Sequence, residues 1–150
     1  MLLGVVAPFV IINHIAKCTE EDLQKELIRY RKMDEQAQRR YLISKYFKGL
    51  EPKEWTIAFK GFHKGLVCLN NFHYKEGKTY YLDGDPNLCN RGFHACIYPR
   101  DCFIYYSSYS DVYHLVFLKN IDTYHVTADS KRCAGVIKIG PEIPREFFIN

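Results

Sequence analysis

The densest run of chemically capable residues in the 150-residue chain is Cys89-Asn90-Arg91-Gly92-Phe93-His94-Ala95-Cys96, with Cys102 shortly after it. Cys89, His94, Cys96 and Cys102 are the residue types that tetrahedral zinc takes, but neither a Cys-x-x-Cys pair nor a His-x-x-x-His pair occurs. In a strand His94 and Cys96 share one face, so Cys89 and Cys102 would join them only through tertiary folding. Buried thiols are the simpler reading, because Cys in apolar runs packs as a small hydrophobe. A cysteine nucleophile needs a thiolate held by His or by a helix start. Cys102 lies near such a start, yet with six Cys and six His in the chain a chance neighbour is the simpler explanation. His63, His73, His114 and His125 alternate with aromatic residues, and most are expected as surface or hydrogen-bonded sheet residues. No phosphate loop, dinucleotide fingerprint, zinc-protease helix or hydrolase elbow is present.

The elements that must position these residues fall into a helical part, residues 1–54, and a β-rich part, residues 55–150, of one domain. Thr19-Glu20-Glu21-Asp22 reads as a helix start, with a capping hydroxyl and acids at the positive end of the dipole. Leu23, Leu27, Tyr30, Ala37 and Tyr41 follow at helical spacing. Asp34 interrupts them and is expected to cap a second helix that runs to about Phe47 and stops at Gly49. After Glu51-Pro52-Lys53 the period changes. Strands are expected at Trp55–Phe62, Lys78–Leu82, Val112–Leu118, Thr123–Thr127 and Val136–Ile139, with one helix from Pro99 to Tyr106. The fold class is therefore α+β, a helical segment packed on a mostly antiparallel sheet.

Composition narrows the function classes. Twelve Tyr and ten Phe favour large rings packed on a pleated surface. The net charge of +4 arises from 21 basic and 17 acidic residues that are interleaved along the chain, so no basic stripe suits a phosphate backbone. Six cysteines at irregular spacings in a chain of this length point to reduced thiols rather than a disulfide framework. The apolar run Met1–Ile12 lacks a basic region, a small-residue cleavage site and the length to span a bilayer, so a cytoplasmic protein without a membrane partner is expected.

Further segments carry a family resemblance. Phe59-Lys60-Gly61-Phe62, Glu76-Gly77-Lys78-Thr79-Tyr80, Leu88-Cys89 with Gly92-Phe93-His94-Ala95-Cys96, Pro99 with Asp101 and Tyr105-Tyr106, and Lys138-Ile139-Gly140-Pro141-Glu142-Ile143 together resemble a domain of unknown function that recurs in phages and prophages. The resemblance covers about residues 59–143, with Gly-Phe-His-Ala-Cys its most specific piece. The same unit also resembles, more distantly, the ADP-ribosyltransferase fold. That likeness implies Lys60 in the place of a basic or His residue on the first strand, and His94 after Gly92-Phe93 near the family's Gly-x-Tyr. Such a site also needs a carboxylate to stabilise a sugar cation. None occurs at Ala134-Gly135-Val136, and Glu142 lies several residues later.

The leading expectation is thus a mobile-element interaction protein that binds and inhibits a host macromolecule, a protein or ribonucleoprotein such as a CRISPR effector, in the host cytoplasm and with no cofactor. Tyr and Arg are common interface anchors. Candidates are Tyr30, Arg31, Arg39, Arg40 and Tyr46 on the helices and Tyr105, Tyr106 and Tyr109 near a polar loop. The alternatives are an NAD-using transferase with Lys60, His94 and Glu142, and a nucleic-acid-binding protein.

Overall fold

The computed structural model describes residues 20–49, 53–68, 71–87, 91–125 and 127–149. The expected cap at Thr19, the run Met1–Ile12, Cys18 and Cys89 lie outside them. The chain forms two compact units that divide between Met33 and Asp34. In the first, residues 20–31 are helical (α1), with Leu27 and Tyr30 buried and Ile28 exposed. Burial three residues apart is what one face of a helix gives.

The second unit begins with α2 (Glu35–Tyr46). Asp34 starts it as expected: its backbone is extended and its carboxylate accepts the Ala37 amide at 2.8 Å. Gln38 and Leu42, one turn apart, are its buried residues. Arg39 Nη1 donates to the carbonyls of Ile57 (2.6 Å) and Ile97 (2.9 Å), which ties α2 to the sheet.

The strands are β1 (Thr56–Phe62), β2 (Val67–Cys68), β3 (Phe72–His73), β4 (Thr79–Tyr81), β5 (Phe93–Cys96), β6 (Val112–Ile121) and β7 (Lys131–Ile143). The β2–β3 pair stands as a small sheet of its own. A 3-10 turn, Pro99–Asp101, with Pro in its first turn, leads into the one-turn helix α3 (Cys102–Tyr105), so the expected internal helix is present. The main sheet is antiparallel and runs β4-β7-β5-β1-β6, with β6 also paired to β7. The strands β7, β5, β1 and β6 therefore close on themselves. Strand β7 makes this possible: along one edge it takes β5 at Lys131–Ala134 and then β4 at Val136–Lys138, and along the other it takes β6 from Ala134 to Ile143. The α+β class with an antiparallel sheet and an internal helix is what the sequence predicts.

Of the expected strand Thr123–Thr127, residues 123–125 and 127 are described and none of them is in a strand. Residues 123–125 form a turn, because Asp122 accepts the Tyr124 amide at 2.9 Å and faces the His125 Nδ1 at 2.9 Å. An Asp that satisfies the amides after it competes with a ladder for the same donors. Alternation of Tyr and His with Thr could not reveal this. Among the described residues no helix is long and apolar enough to cross a membrane.

The apolar core on the β1 side gathers Ala58, Phe62, Phe93, Val116, Leu118, Ile137 and Ile139. Elsewhere Phe148 stacks on Tyr113 at 4.4 Å and Phe147 receives Tyr41 and Tyr46 of α2. Replacing Arg39 by Ala removes a donor from two strand-end carbonyls. It is expected to lower the unfolding free energy by about 1–3 kcal/mol in urea titrations, whereas Arg40→Ala, at an exposed position, leaves the midpoint unchanged.

Candidate functional site

Strands β1 and β5 pair at one position, Phe59 with Cys96, and then part. A cavity of about 770 Å³ lies where they separate, lined by Phe59, Lys60 and Gly61 from one strand and Phe93, His94, Ala95 and Cys96 from the other. That volume falls in the range of small-molecule sites. Lys60 spans the parting: its Nζ donates to the His94 carbonyl at 2.5 Å, taking the place of a ladder amide. The side chain is buried.

Much of the rest of the cavity wall is aromatic. Tyr74 is its centre, with ring centroids of Phe72 at 4.7 Å, Tyr80 at 5.1 Å, Phe62 at 5.4 Å and Phe93 at 6.3 Å. The Lys60 ammonium lies 5.5 Å from the Phe62 centroid and 5.6 Å from that of Tyr74, so ring faces stand where a counter-charge would be usual. On the other side Tyr106 lies directly over Gly61, where a Cβ would come within 2.6 Å of the Tyr106 side chain. Only a glycine allows that approach. The His63 ring is 5.1 Å from Tyr106, and its Nδ1 is 3.1 Å from the buried Asp111 carboxylate.

Burial pushes the Lys60 amine below its ordinary pKa, and no carboxylate among the described residues makes an ion pair with it. The nearby thiols of Cys68, Cys102 and Cys96 offset part of this, and the Lys131 charge adds to it. Burial also holds the Cys102 thiol well above its usual value, helped by its hydrogen bond with Cys96. Tyr105, at the rim, donates its hydroxyl to Asp129. Burial raises the Asp129 carboxyl, but hydrogen bonds from Thr127, Tyr105 and the Lys131 amide outweigh it and leave the group below the usual carboxylate range.

The segment Gly92–Cys96 has a physical role at each position. Gly92 sits at φ +128°, and a Cβ there would meet the Cys133 sulfur at 2.3 Å and the Ala134 carbonyl at 3.1 Å. Phe93 joins the aromatic wall, His94 offers its carbonyl to Lys60, Ala95 is buried, and Cys96 makes the single pairing with Phe59. The model of a domain of unknown function (DUF7666) matches residues 56–150 of this chain. The chain belongs to that family. No curated protein and no solved structure matches it. The stretch that matches the DUF7666 model contains every residue lining the cavity.

Of the residues singled out from sequence, Lys60 and His94 come together at the cavity. Glu142 does not join them; its carboxylate is 3.8 Å from Nε2 of the buried His114, whose Nδ1 is 2.8 Å from the Gly140 carbonyl. The carboxylate that lines the cavity is Asp83, after β4. Cys96 and Cys102 also line it, but no three His, Cys, Asp or Glu side chains among the described residues converge to hold a metal. Cys68, Cys96, Cys102 and Cys133 are free and buried.

Several expected interface anchors are otherwise engaged. Tyr30 is buried rather than exposed, Arg39 binds two carbonyls, Tyr46 packs on Phe147 and Tyr106 lines the cavity. Arg31 and Arg40 are exposed, Tyr105 is 41% exposed and Tyr109 is 86% exposed. Phe72, Tyr74 and Tyr80 were not among the candidates; their signal is the pair of short aromatic runs Phe72-His73-Tyr74 and Tyr80-Tyr81 between turns.

Two outcomes test this geometry. Gly92→Ala places a methyl group against Cys133 at a left-handed backbone position and is expected to cost about 3 kcal/mol, read from a denaturant midpoint. For Lys60→Met the sign follows from the lowered amine. Below its folded pKa both states carry the proton and the burial penalty is constant; above that value the folded state has released its proton while the unfolded state still holds it, so wild-type stability rises with pH. Lys60→Met loses the donor to the His94 carbonyl at every pH, so the stability of wild type relative to Lys60→Met is expected to rise from about pH 7 toward about pH 10, read from denaturant midpoints. A relative stability that falls over this range would show that Lys60 is not held as described.

Proposed function

We propose that this domain binds a small planar molecule in the cavity between β1 and β5, with an oxygen-bearing group directed at Lys60. The observation that carries this reading is a buried lysine facing ring surfaces and no carboxylate at the floor of an open, aromatic-walled space. Ring walls favour flat ligands through stacking, and a recessed amine supplies the one strong polar contact that fixes orientation. The likeness of the sequence to the ADP-ribosyltransferase fold extends the reading to a nicotinamide dinucleotide, whose planar ends and phosphate oxygens have this chemistry. The cavity carboxylate available to such a ligand is Asp83 rather than Glu142.

A second reading is a phage or prophage interaction protein that occupies a host macromolecule such as a defence nuclease. It is supported by Tyr109, whose ring is free in solvent while its loop is held. Arg145 donates to the carbonyls of Tyr109 and Ser108, and Asp111 accepts the Ser108 amide at 3.0 Å. An exposed aromatic on a pre-ordered loop loses little entropy on binding.

Thermal unfolding with salicylate, nicotinamide, NAD or acetate separates these readings. At least one planar compound is expected to raise the midpoint of the wild-type protein, by the usual linkage of binding to stability, while acetate does not. Tyr106→Ala and Lys60→Met each abolish the shift, and Tyr109→Ala preserves it. A shift that survives both cavity substitutions places the binding elsewhere and overturns the reading. Capture of a host nuclease that is lost in Tyr109→Ala but kept in Lys60→Met would favour the second.

A further inference from the structure

The surroundings of Lys60 are those of an amine nucleophile rather than of a structural cation. A buried ammonium kept for stability would be expected beside a carboxylate, and none pairs with it among the described residues. The partner that Lys60 does have, the His94 carbonyl, accepts one N–H and so leaves the nitrogen lone pair of the neutral amine unengaged.

We propose that Lys60 forms a reversible imine with an aldehyde or ketone group of the molecule that enters the cavity, an inference that rests on the ligand-binding reading above. The neutral amine adds to the carbonyl carbon. A C–N bond forms, the amine proton passes to the carbonyl oxygen, and a carbinolamine results. Loss of water then breaks the C–O bond and completes the C=N bond; addition of water reverses the sequence. No oxidant or reductant is required. The aromatic wall holds a conjugated carbonyl compound flat against Tyr74 and Tyr106, and Asp83 and His63 are the cavity-lining groups able to move protons. Desolvation keeps the amine in its reactive neutral form at lower pH than a surface lysine. The competing thiol of Cys102 is held protonated by the same burial and is a poor nucleophile.

The test uses salicylaldehyde and, as its non-electrophilic counterpart, salicyl alcohol. The full-length protein is mixed with one equivalent of the aldehyde, reduced with borohydride, digested and mapped by mass spectrometry, while the alcohol is tested by thermal shift. The expected result is a reduced adduct found predominantly on the Lys60 peptide of the wild-type protein, and its loss in Lys60→Arg. The wild-type map decides the question even if that variant does not fold. A thermal shift with the alcohol, together with an unmodified Lys60 or label spread evenly over the lysines, would overturn the imine and leave the binding reading standing. Absence of an adduct, together with no shift from salicyl alcohol, salicylate, nicotinamide or NAD, would overturn both.

Discussion

The hydrogen bond from Lys60 to the His94 carbonyl is the constraint around which the site is organised. Two antiparallel neighbours normally share a ladder along their length, and here β1 and β5 share one residue pair. A carbonyl left by such a parting needs a donor, since a buried acceptor without one costs about 1–3 kcal/mol. A lysine side chain supplies it from the opposite strand and brings an amine into an apolar space. The aromatic wall follows from that placement: ring faces tolerate a cation and remain compatible with its neutral form, whereas a carboxylate would fix the charge and close the cavity with an ion pair.

The sheet can sustain a gap because its other seams are long. Strand β6 pairs with β1 over seven residues and β7 accepts β5, β4 and β6 in turn. Arg39 reinforces the far side of the parting, since its two acceptors, Ile57 and Ile97, belong to β1 and to the residue just after β5. One guanidinium thus holds these segments together at the end where they still meet, while Lys60 bridges them where they separate. Gly61, beneath Tyr106, and Gly92, against Cys133 and Ala134, both line the cavity and are part of its shape.

Much of the fold was legible because it rests on local chemistry. Asp34 as a cap, Pro99 at a helix start and the β-branched and aromatic runs each point to one conformation and are found in it. The turn after Asp122 was not, because Thr-Tyr-His composition suits a strand and only the carboxylate's reach to the following amides decides otherwise. At the site, Lys60 and His94 were legible through resemblance, while Phe72 and Tyr80 were hidden in strands of two and three residues, and Tyr74 just after one, with no useful periodicity. Arg39 and Arg40 show the limit most clearly. They are adjacent and identical in type, yet one guanidinium finds strand carbonyls and the other finds water, a difference set by the rotation of α2 on the sheet rather than by either residue.

Strand β7 has one more consequence, for the order in which the unit assembles. Strand β4 ends about fifty residues before β7 begins and β5 about thirty-five, and among the described residues β4 has no other partner in the main sheet. Until β7 docks, their edges are open to pairing with other chains, and the loops to be closed are long, which slows folding in proportion to their entropy. The same architecture that lets two strands part in the finished protein therefore leaves its nascent form dependent on a late segment, and exposed to aggregation while it waits.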